Sequence, residues 1–198
     1  MNIAIFASGE GSNAVKIIET LNNYIYVSEG CIKLIATNNP KAGVINIAKE
    51  KNIDVEIIDI NNKSEVEAAI LYAEVLKKHQ IKFVILAGYL KKIPLHIIKL
   101  FPQKIVNIHP SLLPAFGGVG MYGVRVHEAV IAAKEKQSGI TIHYVDEIYD
   151  HGNIIFQANC IVEEGETAAT LAKKVLALEH KNYTSVIAKL INSQNDVK

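Results

Sequence analysis

Tryptophan is absent from this chain of 198 residues, cysteine occurs twice and proline five times. No apolar run approaches the roughly 18 residues of a membrane-spanning helix, so no membrane segment is expected. Cys31 and Cys160 lie far apart, each within an apolar strand-like run. That argues against a disulfide framework or a metal pair and predicts two buried, reduced thiols. Charge of one sign is also lacking: 21 Lys and Arg against 20 Asp and Glu leave a formal net charge of +1. There is neither the basic field that nucleic acid attracts nor an acidic tail, and Lys77-Lys78, Lys91-Lys92 and Lys173-Lys174 read as solvated helix faces. No H-x-x-x-H or Cys/His cluster occurs, so no metal site is expected. The start, Met1 to Phe6, has a strand pattern and lacks the n-region, h-region and cleavage site of a secretory signal. The expected compartment is the cytoplasm.

What is present is an ordinary globular composition, 49% hydrophobic and 21% charged, long enough for one domain with a proper core. Residues 2–8, 32–37, 55–58, 83–87 and 106–108 read as short buried strands. Helical patterns lie between them: 12–21 with Val15 and Ile18 inward, 42–51, a long helix opening at Ser64, and 94–100 starting at Pro94. In the long helix, Ser64 and Glu67 have capping-box spacing, and Val66, Ala69, Ile70, Ala73 and Leu76 recur at helical period. Residues 117–123 form a glycine-rich loop, followed by a helix over 126–134 and strands over 140–145 and 154–161. A helix over 167–190 closes the pattern. The expectation is an α/β fold: a doubly wound, mostly parallel sheet of about seven strands with helices on both faces. With no internal repeat or linker, residues 1–198 read as a single domain with its last few residues frayed.

Three stretches carry chemistry. Ser8-Gly9-Glu10-Gly11-Ser12-Asn13 joins the first strand to the first helix, where Ser12 or Asn13 can cap and the exposed N–H groups suit a phosphate. It lacks the third glycine of a dinucleotide fingerprint and the lysine of a Walker loop. Asn107-Ile108-His109-Pro110 ends the fifth strand, because Pro110 cannot continue it. Asn107 and His109 are two apart, so both side chains leave by one face, an amide donor beside an imidazole at a strand mouth. Asp150, Asp146 and Glu147 lie in a loop between two strands, any of them able to pair with an imidazole. His79 and His96 read as surface residues on helices, and His143 alternates with Ile142 and Tyr144 along a strand.

Taken together, residues 2–190 resemble the formyl-folate transferases, and within them the phosphoribosylglycinamide formyltransferases. The resemblance rests on Ser8 to Asn13, Leu86-Ala-Gly-Tyr-Leu90, Asn107 to Pro114, Gly139 to Val145 with the acidic loop after it, and Glu179-His180. It implies a Rossmann-like formyltransferase fold and a single formyltransferase domain over 1–198. It implies transfer of the formyl group of 10-formyltetrahydrofolate, a co-substrate, to the amine of 5-phosphoribosylglycinamide in purine biosynthesis, without a metal. The family's catalytic Asn, His and Asp fall on Asn107, His109 and Asp150, with Asn107 and a His109 kept protonated by Asp150 stabilising the tetrahedral oxyanion. Gly11, Ser12 and Asn13 would cradle the substrate phosphate and Glu179 would accept from the ribose hydroxyls. Leu90, Lys91, Lys92, Ile93, Asn107 and Val145 would line the folate pocket.

The chain departs from the family pattern twice. Glu65 stands where members often have an arginine at the start of the third helix, and Val119 stands in a glycine-rich loop where a basic side chain is expected. The expected partners are small molecules, with no nucleic acid and no membrane, in a monomer or homodimer. Alternatives are a formyltetrahydrofolate hydrolase and a non-catalytic sugar-phosphate-binding module. Methionyl-tRNA formyltransferase is disfavoured, because it needs an RNA-binding domain and this chain is near neutral.

Overall fold

The computed structural model describes residues 1–21 and 31–195. The elements run β1 (Asn2–Phe6), α1 (Ser12–Thr20), β2 (Cys31–Thr37), α2 (Val44–Glu50), β3 (Asp54–Ile57), α3 (Glu65–Lys78) and β4 (Ile81–Leu86). They continue with α4 (Leu95–Leu100), β5 (Ile105–His109), α5 (Val124–Ala132), β6 (Gln137–Tyr144), β7 (Ile154–Ile161) and α6 (Ala168–Asn195). The strands form one mostly parallel seven-stranded sheet in the order β3-β2-β1-β4-β5-β6-β7, the architecture expected from the alternating pattern. The fraying expected at the last few residues falls on 196–198, outside the described residues. The chain divides into two compact units, one of residues 1–106 and 184–198, the other of residues 107–183.

In the first unit β1 pairs in parallel with both β2 and β4, and β2 with β3. Ile3, Ala4 and Ile5 are wholly buried, as the continuous apolar run of a strand covered on both faces requires. The connections reverse between β1 and β4, which opens a crevice beyond their carboxyl ends. Ala7, Ser8, Ala87 and Gly88 sit there, held by Ala87 N–H to the Phe6 carbonyl (2.8 Å) and Ser8 N–H to the Gly88 carbonyl (3.1 Å).

The Ser64–Glu67 capping box forms as the spacing predicts, but the buried face of α3 is Ala68, Ala69, Tyr72 and Leu76. Val66 and Ile70 are 69% and 52% exposed, so the helix is rotated from the expected stripe. Tyr72 decides the rotation: it stacks on Phe6 and its hydroxyl lies 2.6 Å from that of Tyr89. On α1 the fully buried residues are Asn13, Ala14 and Ile17, with Val15 and Ile18 half-buried beside them. His79 is not a free surface residue, since Asp54 and Glu56 bracket its ring at 3.2 and 2.9 Å. The thiols are not deeply buried either: Cys31 is exposed at the entry of β2, and Cys160 is half-buried on β7.

In the second unit β6 and β7 pair antiparallel, with a register shift between Ile142 and His143. Strand β6 starts at Gln137, three residues before the expected Ile140, because Ser138 and Gly139 give no apolar signal. Gly139 is required by close approach, since a Cβ there would stand 2.0 Å from the Ala158 carbonyl oxygen.

Candidate active site

Strand β5 delivers Asn107 and, two residues on, His109, which is 4% exposed. Strand β6 brings His143, 2% exposed, to Asn107 from 36 positions away. The register of the pair shifts between Ile142 and His143, with the extra residue taken up on β7. Its Nδ1 faces the Tyr144 carbonyl at 2.9 Å, an acceptor only, so that nitrogen carries the proton. Its Nε2 is therefore the acceptor for the Asn107 side-chain amide at 3.1 Å. Burial pushes the His143 pKa below its ordinary value, against the opposing pull of the Tyr144 carbonyl and Asp150. A neutral His143 thus fixes one Asn107 amide proton, and the second remains to meet a ligand oxygen.

The acid that meets His109 is Asp150. Its Oδ2 lies 3.5 Å from His109 Nδ1 and accepts the Gly118 N–H at 2.9 Å, while its Oδ1 is 3.7 Å from His143 Nε2. Because His143 Nε2 accepts from Asn107, that last contact joins the carboxylate to a neutral ring. Asp150 has a left-handed backbone, φ 56°, which aspartate tolerates better than most residues. His109 Nε2 donates to the Phe116 carbonyl at 2.8 Å. Asp146 is occupied elsewhere, accepting the Ile148 N–H at 2.9 Å and pairing with His151 at 3.0 Å.

The start of the glycine-rich loop closes over this cluster. A Cβ at Gly117 would stand 2.5 Å from Leu113 Cδ2 and 3.2 Å from Asp150 Cβ, so a side chain there crowds Leu113 first and the acid by a few tenths of an ångström. Val119 is 87% exposed in the same loop, and Arg125, the chain's one arginine, stacks over Tyr122 at 5.0 Å. His127 is buried with Nδ1 unpartnered, and its pKa is lowered by burial and then by the charge of His109. Burial therefore disfavours charge on both imidazoles that lie within electrostatic range of His109. Glu179 is buried on α6 in this unit, and Val145 is half-buried just past β6.

In the first unit, Gly11 rather than Ser12 or Asn13 is the N-cap of α1, and no side chain caps the helix. Gly11 has φ 80°, and a Cβ would meet Val44 Cγ2 at 2.7 Å, so two independent constraints demand glycine. The Gly9 carbonyl accepts the Val44 N–H at 3.2 Å, pinning the loop on α2. Ser8 Oγ donates to Asn38 Oδ1 at 2.5 Å and accepts the Leu90 N–H at 2.9 Å, tying this loop to the segment 88–93. Tyr89 anchors the same segment through Tyr72, and burial raises its pKa to about 12. Leu90, Lys91 and Lys92 are at least partly exposed, whereas Ile93 is 3% exposed and packs inward. Glu65 has a local use that an arginine could not serve: its carboxylate accepts the Leu95 N–H at 3.2 Å.

The structure thus joins Asn107, His109 and Asp150 in one cluster, and joins the loop of Gly11, Ser12 and Asn13 to Leu90 in the other unit. The chemistry of His143, Phe116 and Gly118 was not anticipated. A histidine on a buried strand beside two apolar neighbours was the available signal for the first, while the other two act through their backbones. Among the described residues, no group of three His, Cys, Asp or Glu gathers as a metal site requires, and no helix is long and apolar enough to cross a membrane.

The formyl transferase family model matches residues 1–187. The chain is 42% identical over 188 residues to the chloroplastic phosphoribosylglycinamide formyltransferase of Arabidopsis thaliana, covering 93% of this chain and 63% of that protein. It spans about three-fifths of the length of that relative and of the similar one from Vigna unguiculata. With the Bacillus subtilis phosphoribosylglycinamide formyltransferase it shares 37% identity over 97% of this chain and 95% of that protein. The crystal structure of the phosphoribosylglycinamide formyltransferase from Bacillus halodurans superposes with a TM-score of 0.89 at 37% identity, over 100% of this chain and 98% of that one. On the motifs, the fold and these matches, the chain belongs to the formyl transferase family.

Proposed function

We propose that this protein transfers the formyl group of 10-formyltetrahydrofolate to the amine of 5-phosphoribosylglycinamide, a step of purine biosynthesis. The observation that carries the reading is the cluster of Asn107, His109 and Asp150, with one Asn107 amide proton fixed by His143 and the other left over. That donor set fits a formyl oxygen: a directed N–H beside a buried imidazole and carboxylate, requiring no metal. The co-substrate supplies the electrophilic formyl carbon.

As the substrate amine attacks, the carbonyl oxygen becomes an oxyanion. The free Asn107 N–H donates to it, and His109, protonated on both nitrogens, adds positive charge while its Nε2–H keeps donating to the Phe116 carbonyl. Asp150 balances that charge from 3.5 Å. Collapse breaks the bond from carbon to folate N10, and the proton lost by the amine must reach N10. Asp150, His109 or a bound water carries it. Gly11, Ser12 and Asn13 hold the phosphate through backbone N–H groups at the start of α1, and Glu179 accepts from the ribose hydroxyls. Leu90 to Ile93 and Val145 contribute to folate binding. Residues 1–198 act as a single catalytic domain, in the cytoplasm, as a monomer or homodimer.

The test is turnover: purified protein with glycinamide ribonucleotide and 10-formyltetrahydrofolate, following tetrahydrofolate release. Release that depends on the ribonucleotide is expected. Release without it would identify a hydrolase, and tight ribonucleotide binding without release would identify a binding module.

A further inference from the structure

The loop from Val145 to Gly152 holds its aspartate in a backbone conformation that a non-glycine residue adopts at a cost, with Asp150 at φ 56°. Such residues persist where the surroundings over-determine them. At the base of the loop, Tyr144 N–H bonds the Asn153 carbonyl at 3.0 Å, and Gly152 lies so close that a Cβ would stand 1.9 Å from the Tyr144 oxygen. Across its span a single carboxylate ties both flanks of Asp150. Asp146 Oδ1 accepts the Ile148 N–H at 2.9 Å, and Asp146 Oδ2 pairs with His151 Nδ1 at 3.0 Å. The tied residues stand two before and one after Asp150, so Asp146 brackets it in sequence and in space. Ile148 and Tyr149, 55% and 40% exposed, offer little apolar packing to do this instead.

We propose that Asp146, assisted by His151, is a positioning residue that holds Asp150 against His109 and Gly118; this rests on the formyl-transfer reading of the site. Asp146 touches neither reacting group. It restrains the Ile148 backbone before Asp150 and the His151 side chain after it, so that Oδ2 stays 2.9 Å from the Gly118 nitrogen and 3.5 Å from His109 Nδ1. Catalytic groups misplaced by an ångström can lose on the order of a hundredfold in rate, and a loosened loop samples such displacements part of the time.

The test uses the full chain with Asp146→Ala, Asp146→Asn and His151→Ala, reading kcat, both KM values and the amide proton shift of Gly118 by NMR. In Asp146→Ala, kcat is expected to fall about tenfold, with the ribonucleotide KM unchanged and the Gly118 proton moved upfield as its bond to Asp150 weakens. Asp146→Asn keeps an oxygen for Ile148 and falls in between; His151→Ala loses a few-fold. If Asp146→Ala fails to fold, the other two variants carry the comparison. An unmoved Gly118 proton, or an unchanged kcat in an active enzyme, overturns the proposal. Lack of ribonucleotide-dependent turnover in the unsubstituted protein instead overturns the functional reading, and the Gly118 shift then still decides whether Asp146 holds Asp150.

Discussion

Replacing His143 with leucine keeps an apolar side chain of similar size on β6 but removes the acceptor that orients Asn107. His143 is 2% exposed and makes two hydrogen bonds, at 3.1 Å from Asn107 and 2.9 Å to Tyr144. Asn107 and Tyr144 are only half-buried, so water can reach part of what is lost. The stability cost is therefore about 1–3 kcal/mol, the range for one buried polar group left unmatched. The effect on turnover is larger in proportion. Losing an oxyanion donor outright costs about 10²–10³ in kcat, which bounds what a misdirected donor can cost. His143→Leu leaves the Asn107 amide present but free to rotate, so a fall of about 10- to 100-fold is expected, with KM values nearly unchanged. Because His143 acts through Asn107, the double variant with Asn107→Ala should be no slower than Asn107→Ala alone. Steady-state kinetics with a denaturant melt of each variant decides it. A folded His143→Leu enzyme with unaltered kcat, or full additivity in the cycle, would refute the reasoning.

His109→Ala should remove nearly all turnover while ribonucleotide affinity, measured by calorimetry, stays near that of the parent; normal kcat would sink the oxyanion role. Gly11→Ala combines a left-handed φ of 80° with a 2.7 Å approach to Val44 Cγ2, so a loss of about 1–3 kcal/mol is expected together with a raised ribonucleotide KM. An unchanged melting curve would contradict it. Stability should also depend on pH. Burial lowers the folded-state pKa values of His143 and His127 below 6.5, so between each folded value and 6.5 the unfolded chain binds more protons. The contribution is complete above 6.5 and is lost as pH falls through the folded values. Denaturant midpoints from about pH 8 to 5 test the sign, and His143→Leu should flatten the slope.

Much of the frame was legible because it depends on local rules. The strands of the first half are apolar on both faces, and Ser64 and Glu67 cap α3 by adjacency alone. Boundaries failed where a residue's partner lies elsewhere. Tyr72 rotates α3 because its hydroxyl meets Tyr89, and Asp54 with Glu56 draws in His79. Gly11 caps α1 in place of Ser12 or Asn13, in a left-handed conformation and so near Val44 that any other residue there is strained. A period-two pattern places His143 on a strand but does not pair it with Asn107, because that partner lies on another strand 36 positions away.

By itself the sequence determined that Asn107 and His109 share a face, since a strand alternates every residue, and that Pro110 ends β5, since proline has no N–H to give. The residues alone left Asp146, Glu147 and Asp150 open and the family resemblance pointed to Asp150; the tertiary structure puts Asp150 beside His109, and only it set which nitrogen of His143 carries the proton. Hydrogen bonds are directional and act over about 3 Å, so such choices exist only once the fold has brought residues 32 to 41 positions apart into contact.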